Sequence, residues 1–401
     1  MQQDKQGAKR KFSVDDLLEV KIEKIVPRGL GMGFAEGLTV FVTLAAEGDV
    51  IRARVEQIKG KTAFAAIEEI ISPSSDRTTP PCPYYGICGG CDLQHLRYEK
   101  QLAAKSAIIS DCLRRIGKIE WPHAILVTAS PNEFDYRSRA QWHLDRDKQR
   151  IGYLRRASHE VIDIEQCLIL LPELESSFLK LREEISWGGI WSDVAVIEAA
   201  AGKNGTSLYS ADMVLPGGDV IQRAGEFEYR YSAQSFFQGN PFLIEALVDA
   251  AVEGTDGRLA LDLYCGVGLF TLALSKRFKR VIGIEGNPTA VEYARRNADQ
   301  ACLTNIEFAM ESVERGLGEN KVAELDLVLL DPPRSGPEKP IIDRIIQMRP
   351  AAISYVSCDP AILARDLRHF IDGGYRVDSI RAFDLFPQTH HVETVARLSL
   401  S

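Results

Sequence analysis

The chain has 401 residues, of which 45% are hydrophobic and 26% charged, and 48 Lys and Arg against 56 Asp and Glu give a net charge of −8. This composition excludes a disordered chain, a collagen-like chain and a disulfide-rich miniprotein. It also excludes binding of nucleic acid by bulk positive charge alone, although a local basic face remains compatible with RNA. Apolar runs stay short of the roughly 20 residues of a membrane helix, and the first residues lack the apolar core of a signal peptide. We therefore expect a cytoplasmic protein without a membrane segment, by default a monomer.

The first predicted unit, residues 14–71, is a small β-barrel. Its strand-like segments are separated by turn glycines and read LLEVKIEKIV, LTVFVTL, DVIRARVEQI and TAFAAIEEI. Short strands at this spacing are typical of an all-β barrel. A stretch rich in Pro, Ser and Thr, residues 72–83, separates the barrel from the rest of the chain.

The second predicted unit, residues 72–235, mixes α and β structure. It contains a cysteine cluster, one helix at about 98–116, and strand-like stretches that read SRAQWHLD, RIGYLRR and EVIDIEQCLIL. Between positions 137 and 156, seven basic residues stand against two acidic ones, with Trp142 and Tyr153 interleaved. Such a pattern suits phosphate contact and stacking on unpaired bases, and it predicts an RNA-binding sheet that includes Arg137 and Arg139. The alternative is a solvated sheet face with Trp142 turned inward.

Four of the eight cysteines have the pattern of a metal site. Cys82, Cys88 and Cys91 give C-x5-C-x2-C, with glycines that let the backbone wrap tightly, and Cys167 is the plausible fourth ligand. Disulfides are not expected in a reducing compartment. The spacing alone leaves zinc and a [4Fe–4S] cluster both open.

The third predicted unit, residues 236–401, alternates strand-like runs with helical segments, which predicts a parallel, doubly wound α/β sheet. Gly266 and Gly268 come after the strand LALDLYC and allow a tight turn close to a ligand. Glu285 ends the next strand, where a carboxylate can accept ribose hydroxyls. Thr271 stands where a dinucleotide fingerprint has its third glycine, so the pattern favours S-adenosylmethionine over NAD.

Three further residues end or begin strands of this sheet. Asp331 precedes Pro332, which cannot continue a strand, so Asp331 is expected at the rim of the pocket or in a plain turn. Cys358 stands just before a helix, whose N-terminus would lower the thiol pKa, unless the side chain is simply buried. Glu393 begins the last strand beside apolar Val392, and is a candidate for a raised pKa or else a solvated edge residue.

The motifs DLYCGVG, DPPRSG, SCDP and HVETVARL, in this order, resemble those of RNA uracil-5 methyltransferases. The chain is similar to the ribosomal RNA branch of that family from about residue 14 onward. The resemblance implies a C-terminal class I methyltransferase domain, with Cys358 as the nucleophile and Glu393 as the base that removes a proton. It also implies contacts to S-adenosylmethionine or the target uracil from Gln238, Tyr264, Gly266, Gly268, Glu285 and Asp331.

The resemblance extends to the first two units. CGGCDLQH is similar to the family's cluster-binding motif, which implies a [4Fe–4S] cluster on Cys82, Cys88, Cys91 and Cys167. RGLGMGFAEGLTVFV resembles a TRAM domain, an OB-like RNA-binding barrel, and departs from it at FVTLAAEGD, where a proline is common. In relatives the helix at about 98–118 packs on the catalytic domain. The implied substrate is 23S rRNA, with tRNA as the alternative.

Two other functions compete with this one. DPPR also resembles the (D/N)PP(Y/F) signature of amino-group methyltransferases, which need no cysteine nucleophile. A non-catalytic iron–sulfur RNA-binding protein with a vestigial methyltransferase sheet is the other alternative.

Overall fold

The computed structural model describes residues 12–318 and 325–401. Its first part is a closed five-stranded barrel in the order β1-β2-β3-β5-β4, which confirms the predicted small barrel. The strands are Leu17–Val26 (β1), Leu30–Ala35 (β2), Leu38–Val42 (β3), Val50–Lys59 (β4) and Thr62–Ser72 (β5), and a 3₁₀ turn, Pro27–Gly29, joins the first two. The sequence patterns missed β2 because it is rich in glycine. Gly33 lies so close to β1 that a Cβ atom there would stand 2.2 Å from the Lys21 carbonyl oxygen.

The helix predicted after the cysteine motif is α1, Tyr98–Arg115. Its buried Ile108, Ile109 and Leu113 belong to the same apolar cluster as the helices and strands of the C-terminal part. The short strand β6, Val127–Thr128, comes next and is the outermost strand of the C-terminal sheet. This segment therefore packs with the C-terminal part, although the barrel and the middle sheet flank it in the sequence.

The middle of the chain forms a five-stranded antiparallel sheet in the order β11-β10-β7-β8-β9. Its elements are Arg139–Asp145 (β7), Arg150–Leu154 (β8), Val161–Asp163 (β9), the helix Pro172–Glu184 (α2), a 3₁₀ turn Trp187–Gly189, Val194–Gly202 (β10) and Gly205–Tyr209 (β11). The sequence patterns predicted one helix in this unit and missed α2, which covers one face of the sheet. Trp142 is fully buried on that face, 4.9 Å from Phe178 between ring centroids. The predicted stacking of RNA on Trp142 is therefore wrong, because the two-residue period of β7 turns that ring inward.

A hairpin, Val220–Ala224 (β12) and Phe227–Tyr231 (β13), leads into the C-terminal part. There an eight-stranded sheet has the order β16-β15-β14-β17-β18-β20-β19-β6. Its remaining elements are Ile244–Val252 (α3), Gly257–Leu263 (β14), Leu269–Ser275 (α4), Phe278–Glu285 (β15), Pro288–Gln300 (α5), Ile306–Met310 (β16), Val313–Gly316 (α6), Leu327–Leu330 (β17), Lys339–Met348 (α7), Ala352–Ser357 (β18), Pro360–Asp372 (α8), Tyr375–Phe383 (β19) and Glu393–Leu400 (β20).

The sheet is mixed rather than wholly parallel as predicted. Strands β14 to β18 pair in parallel, whereas β20 runs antiparallel between β18 and β19. The four residues of β17 are all buried, as expected for a strand covered by helices on both faces. Because the parallel strands end at one edge, Gly266, Glu285, Asp331 and Cys358 emerge there side by side. Within the described ranges, no helix is long and apolar enough to cross a membrane.

Candidate active site

A cavity of about 700 Å³ lies between the carboxyl edge of the C-terminal sheet and the middle sheet. The sequence-predicted residues that line it are Arg137, Arg139, Gln238, Tyr264, Gly266, Glu285, Asp331, Cys358 and Glu393. The tertiary structure thus brings together residues spread over more than 250 positions of the sequence. Gly268 shapes the adjoining loop instead of lining the cavity: it caps α4 with φ 91°, a conformation that favours glycine.

Glu285 is held at the tip of β15 by two backbone donors. Its carboxylate accepts hydrogen bonds from Gly266 N at 3.1 Å and from Asn287 N at 2.8 Å. Tyr264 has φ 63°, in the left-handed region that non-glycine residues rarely adopt, so the loop around it is strained. A fixed carboxylate beside a tight loop is the arrangement that receives a ribose at the switch point of such sheets. The residues present therefore fit an adenosine-containing ligand.

Gln238 and Asp331 form a polar pair deeper in the cavity. Gln238 Nε2 donates to Asp331 Oδ2 at 3.2 Å, and burial raises the pKa of Asp331 to about 7, against the lowering effect of this hydrogen bond. Gln238 Oε1 is buried and has no hydrogen-bond partner in the described part of the chain. A buried acceptor without a partner is costly, so this atom is poised for a bound ligand.

Cys358 lies between the end of β18 and the start of α8. Burial raises its thiol pKa to about 12; the charges of Glu393 and Asp331 add to this, and Arg334 opposes it. The predicted lowering of this pKa is therefore wrong for the ligand-free protein. Burial and the neighbouring carboxylates outweigh the helix N-terminus, where the Asp359 carboxylate accepts from Ala361 N and Ile362 N at 2.8 and 3.1 Å.

Glu393 is the first residue of β20, a strand with neighbours on both sides. It is only 2% exposed, so it is not the solvated edge residue of the alternative interpretation. Burial, together with the charge of Asp331, raises its pKa well above the usual value, and Arg334 partly offsets this. The predicted raised pKa is confirmed. Its Oε1 atom also lacks a hydrogen-bond partner among the residues described.

Two cavity residues were not singled out from the sequence. Phe236 is 67% exposed although aromatic, and it lines the cavity two residues before Gln238. An exposed aromatic ring that lines the cavity offers a stacking face for a planar base. Arg334 of the DPPR motif lines the same cavity, where its charge acts on both Cys358 and Glu393. The signals were present in the sequence, as the aromatic pair of QSFFQ and the arginine after two prolines.

The basic stretch of the middle sheet is mostly paired within the protein. Arg139 donates to the carbonyl oxygens of Ser235 and Ala233 at 2.6 and 2.9 Å, so its guanidinium holds the loop before Gln238. Arg137 donates from Nε to the Arg139 carbonyl oxygen at 2.8 Å. Other members form ion pairs, which are Arg146–Asp193, Arg150–Glu160, Arg155–Glu160 and Arg156–Asp92. Three acidic residues from other segments, Asp92, Glu160 and Asp193, therefore offset part of the excess of five positive charges counted along the sequence.

The four predicted metal ligands, Cys82, Cys88, Cys91 and Cys167, line one small pocket beside the middle sheet. Burial raises the pKa of Cys167 to about 11, against hydrogen bonding from Tyr153, and the pKa of Cys91 also rises through burial and the neighbouring Cys167. In the described ranges, no three His, Cys, Asp or Glu side chains stand close enough to hold a metal ion.

Similarity to known proteins identifies the family of this chain. The family described as tRNA (uracil-5-)-methyltransferase matches residues 193–400, just over half of the chain. The chain belongs to this family. A relative from Aquifex aeolicus, described as an uncharacterized RNA methyltransferase, is 32% identical over 96% of this chain and 99% of its own length. Another from Streptomyces avermitilis, described in the same words, is 36% identical over 91% of this chain and 93% of its own.

A solved structure agrees with the family assignment. The Pyrococcus abyssi tRNA (uracil-54, C5)-methyltransferase in complex with S-adenosyl-L-homocysteine is similar with a TM-score of 0.73 and 27% identity, covering 95% of this chain and 99% of that one. The protein is thus an S-adenosylmethionine-dependent RNA uracil-5 methyltransferase. The family match sets aside both the amino-group chemistry and the non-catalytic function that the sequence had left open.

Proposed function

We propose that this methyltransferase modifies carbon 5 of a uridine in 23S rRNA through a covalent adduct, with Cys358 as the nucleophile and Glu393 as the base. One observation supports this above all others. The thiol and the carboxylate lie in one cavity, close enough for the charge of Glu393 to raise the pKa of Cys358. The reaction needs a nucleophile, because carbon 5 of uracil is a poor nucleophile until a thiolate has added to carbon 6. It also needs a base that removes the carbon 5 proton afterwards.

The cofactor would lie along the carboxyl edge of the sheet, against Tyr264, Gly266, Glu285 and Asp331. Glu285 would accept the ribose hydroxyls, and Gly268 would shape the loop that approaches the ligand. S-adenosylmethionine, when bound, supplies an electrophilic methyl group. Gln238 and Asp331 would bind at the junction of cofactor and uracil, where the unpartnered Gln238 Oε1 gains a donor.

The chemistry divides into an addition and an elimination. Cys358 loses its thiol proton to water, and its Sγ forms a bond to carbon 6 of uracil. The carbon 5–carbon 6 electron pair moves toward the carbonyl at carbon 4. Carbon 5 would then take the methyl group as the bond from that group to the sulfonium sulfur breaks, with S-adenosylhomocysteine as the leaving group. Glu393 removes the remaining proton from carbon 5, the double bond re-forms, and the Sγ–carbon 6 bond breaks to return the thiolate.

The electrostatics of the cavity suit this order of events. The carboxylates of Glu393 and Asp331 add to burial in holding the pKa of Cys358 at about 12 in the ligand-free protein. A positive charge bound between these groups and the thiol favours thiolate, since opposite charges stabilise the ionised form. The thiol would therefore be activated only after the methyl donor is in place, which limits its unproductive reactions.

Two RNA substrates are considered, 23S rRNA and tRNA. The barrel, which we propose to be a TRAM RNA-binding domain, and the cysteine pocket favour 23S rRNA, and Arg137 and Arg139 at the cavity rim would position the RNA strand. The second candidate is tRNA, favoured by the similarity to the Pyrococcus abyssi enzyme along 95% of this chain. Either target must present a flipped-out uridine, which costs a few kcal/mol of unstacking and least in a loop.

We also propose that the four-cysteine pocket holds a [4Fe–4S] cluster. Cys82, Cys88, Cys91 and Cys167 line one pocket, and thiolates are ligands of both zinc and such a cluster; the similarity of CGGCDLQH to the family's cluster-binding motif favours the cluster. Methyl transfer from a sulfonium needs no electron, so the cluster would be structural and would hold the middle unit together.

The test uses anaerobically purified protein, methyl-labelled S-adenosylmethionine, and unmodified 23S rRNA and tRNA in separate reactions, followed by nucleoside analysis. Label in 5-methyluridine of 23S rRNA supports the proposal, and label only in tRNA moves it to the second candidate. Cys358→Ala is expected to abolish turnover while cofactor binding persists, and Glu393→Gln is expected to accumulate a protein–RNA adduct on denaturing gels. Full turnover by Cys358→Ala would disprove the covalent mechanism.

A further inference from the structure

The loop that leads into Glu393, residues 384–392, is held from the side of the cysteine pocket. Asp92, the residue after Cys91, donates its backbone N–H to the Gln388 carbonyl oxygen at 2.9 Å, and Leu93 donates to the same oxygen at 3.0 Å. This pairing places the cysteine segment along the loop.

The Asp92 side chain adds a second connection, closer to the base. Its Oδ2 lies 2.6 Å from His390 Nδ1 and accepts from His390 N at 3.4 Å, while its Oδ1 accepts from Arg156 Nη1 at 2.8 Å. Arg156 also donates to the Cys91 carbonyl oxygen. Asp92 is only 8% exposed, so its carboxylate makes these contacts largely out of water. Hydrogen bonds to a charged group are stronger than neutral ones.

The barrel closes this junction from the third side. Gly29, in the turn between β1 and β2, has φ 68°, and a Cβ atom there would lie 3.2 Å from Asp92 Cβ and 3.3 Å from His390 Cβ. Gln388, whose carbonyl oxygen accepts from Asp92 and Leu93, also exchanges two hydrogen bonds with Gln101 of α1 at 2.9 and 3.0 Å. Between the Asp92–His390 contact and Glu393 there are only two residues, His391 and Val392.

We propose that Asp92 and His390 are positioning residues that set the Glu393 carboxylate against carbon 5 of the bound uracil. This inference rests on the proposed function, in which Glu393 is the base. Cys358 sits between the end of β18 and the start of α8, outside this loop. Loss of the Asp92–His390 contact should therefore slow proton removal and leave thiol addition and methyl transfer comparatively intact. A displacement of about 1 Å at a reacting group costs about 100-fold in rate.

The experiment measures the two halves of the reaction in single turnovers. RNA carrying tritium at carbon 5 of uridine releases it only when the proton is removed, whereas labelled methyl enters the RNA at the earlier step. For His390→Ala we expect tritium release to slow at least about ten-fold more than methyl incorporation, with an adduct on denaturing gels. His390→Asn should restore release, because the Asn amide nitrogen can stand near the position of His Nδ1.

A matched control removes a similar ion pair that includes no residue of the loop. Arg77 pairs with the buried Asp49 at 2.7 Å, between the barrel and the segment after it, and Arg77→Ala should lower stability without accumulating adduct. Asp92→Asn, which keeps the backbone contacts to Gln388, provides a second variant of the junction itself. It should show the same slow release in milder form.

The outcomes separate the inference from the function on which it rests. If the wild-type protein forms no 5-methyluridine and Glu393→Gln forms no adduct, the proposed function is wrong. If both behave as expected but His390→Ala and Asp92→Asn slow methyl incorporation and tritium release equally, the positioning role is overturned. Adduct in the Arg77→Ala control would also overturn it, because general destabilisation would then account for the effect.

Discussion

Gln238 donates a hydrogen bond to Asp331 across 3.2 Å, and these residues come from segments 93 positions apart in the sequence. The bond ties the loop before α3 to the end of β17. It leaves the other amide atom, Gln238 Oε1, buried and facing the cavity without a partner among the described residues. The hydrogen bond thus fixes the Gln238 side chain through its amide nitrogen and leaves its amide oxygen available, so a ligand can bind to that oxygen with little rearrangement.

Replacing Gln238 by Ala should lower kcat/KM for RNA methylation by about ten- to 100-fold, since a hydrogen bond to a charged group is worth about 1.5–3 kcal/mol. Thermal stability should change little, because the side chain borders a cavity. Methyl incorporation into RNA measures the effect. Gln141→Ala is the matched control: Gln141 lines the same cavity but pairs with Glu198 at 2.7 Å, and its loss should leave kcat/KM within about two-fold.

The raised pKa of Asp331 predicts a pH dependence of stability. Burial raises that pKa from 3.8 to about 7, so between these values the unfolded chain has lost the proton and the folded protein keeps it. The unfolded state then binds fewer protons, and the free energy of unfolding falls as pH rises. Asp331→Asn removes this contribution and should gain stability relative to wild type as the pH rises from about 4 to about 7. Thermal denaturation across this range measures the difference.

A constant difference between Asp331→Asn and wild type over that range would contradict the prediction. The test applies to the ligand-free protein, because a bound cation in the cavity would itself favour the carboxylate. Glu393, whose pKa is raised by burial and by Asp331, should respond in the same direction.

Phe236 and Trp142 are expected to behave in opposite ways when replaced by Ala. Trp142 is fully buried against Phe178, and its loss should destabilise the fold by about 3–5 kcal/mol. Phe236 is 67% exposed in the cavity, so its loss should spare stability and weaken RNA methylation by about five- to 100-fold, the equivalent of about 1–3 kcal/mol of base stacking. Denaturation curves and methylation kinetics of both variants decide the matter. Equal effects of the two substitutions on stability would contradict the assignment of Trp142 to the core and of Phe236 to base stacking.

Disruption of the cysteine pocket should lower the stability of the protein and leave its affinity for the cofactor nearly unchanged. Cys91→Ser removes a thiol from a pocket whose rim is bonded to the middle sheet through Gly89 N and the Leu154 carbonyl oxygen at 3.0 Å. We expect loss of the visible absorbance of the cluster and a lower melting temperature, with S-adenosylmethionine affinity within about three-fold of wild type, because Glu285 lies in a separate cavity. Cys302→Ser, at an exposed position outside the pocket, is the control. Unchanged absorbance in Cys91→Ser would rule out a cluster at this position.

The strands and helices were largely predictable because their signals are local. The apolar runs of β14, β15, β17 and β18 alternate with amphipathic helices, and this pattern alone indicates the α/β sheet. The sequence patterns did not predict β2, because this glycine-rich strand lacks the side chains that mark a strand. They also did not predict the helix α2, because it was not distinguished from its strand-like surroundings. The antiparallel β20 could not be foreseen, since strand direction depends on which neighbours pair in space.

The sequence by itself determined which residue types were available for chemistry and in which order they came. Cys358, Glu393, Asp331 and Glu285 were identifiable because each ends or begins a strand beside a recognisable motif. Only the tertiary structure decided which charges are paired: Asp92, Glu160 and Asp193, which lie outside the basic stretch between positions 137 and 156, form ion pairs with four of its arginines. The pKa of Cys358 was decided in the same way, because burial and the carboxylates of Glu393 and Asp331 outweigh the helix N-terminus. Electrostatic energies depend on distances in space and on exclusion of water, and neither is written in the spacing along the chain.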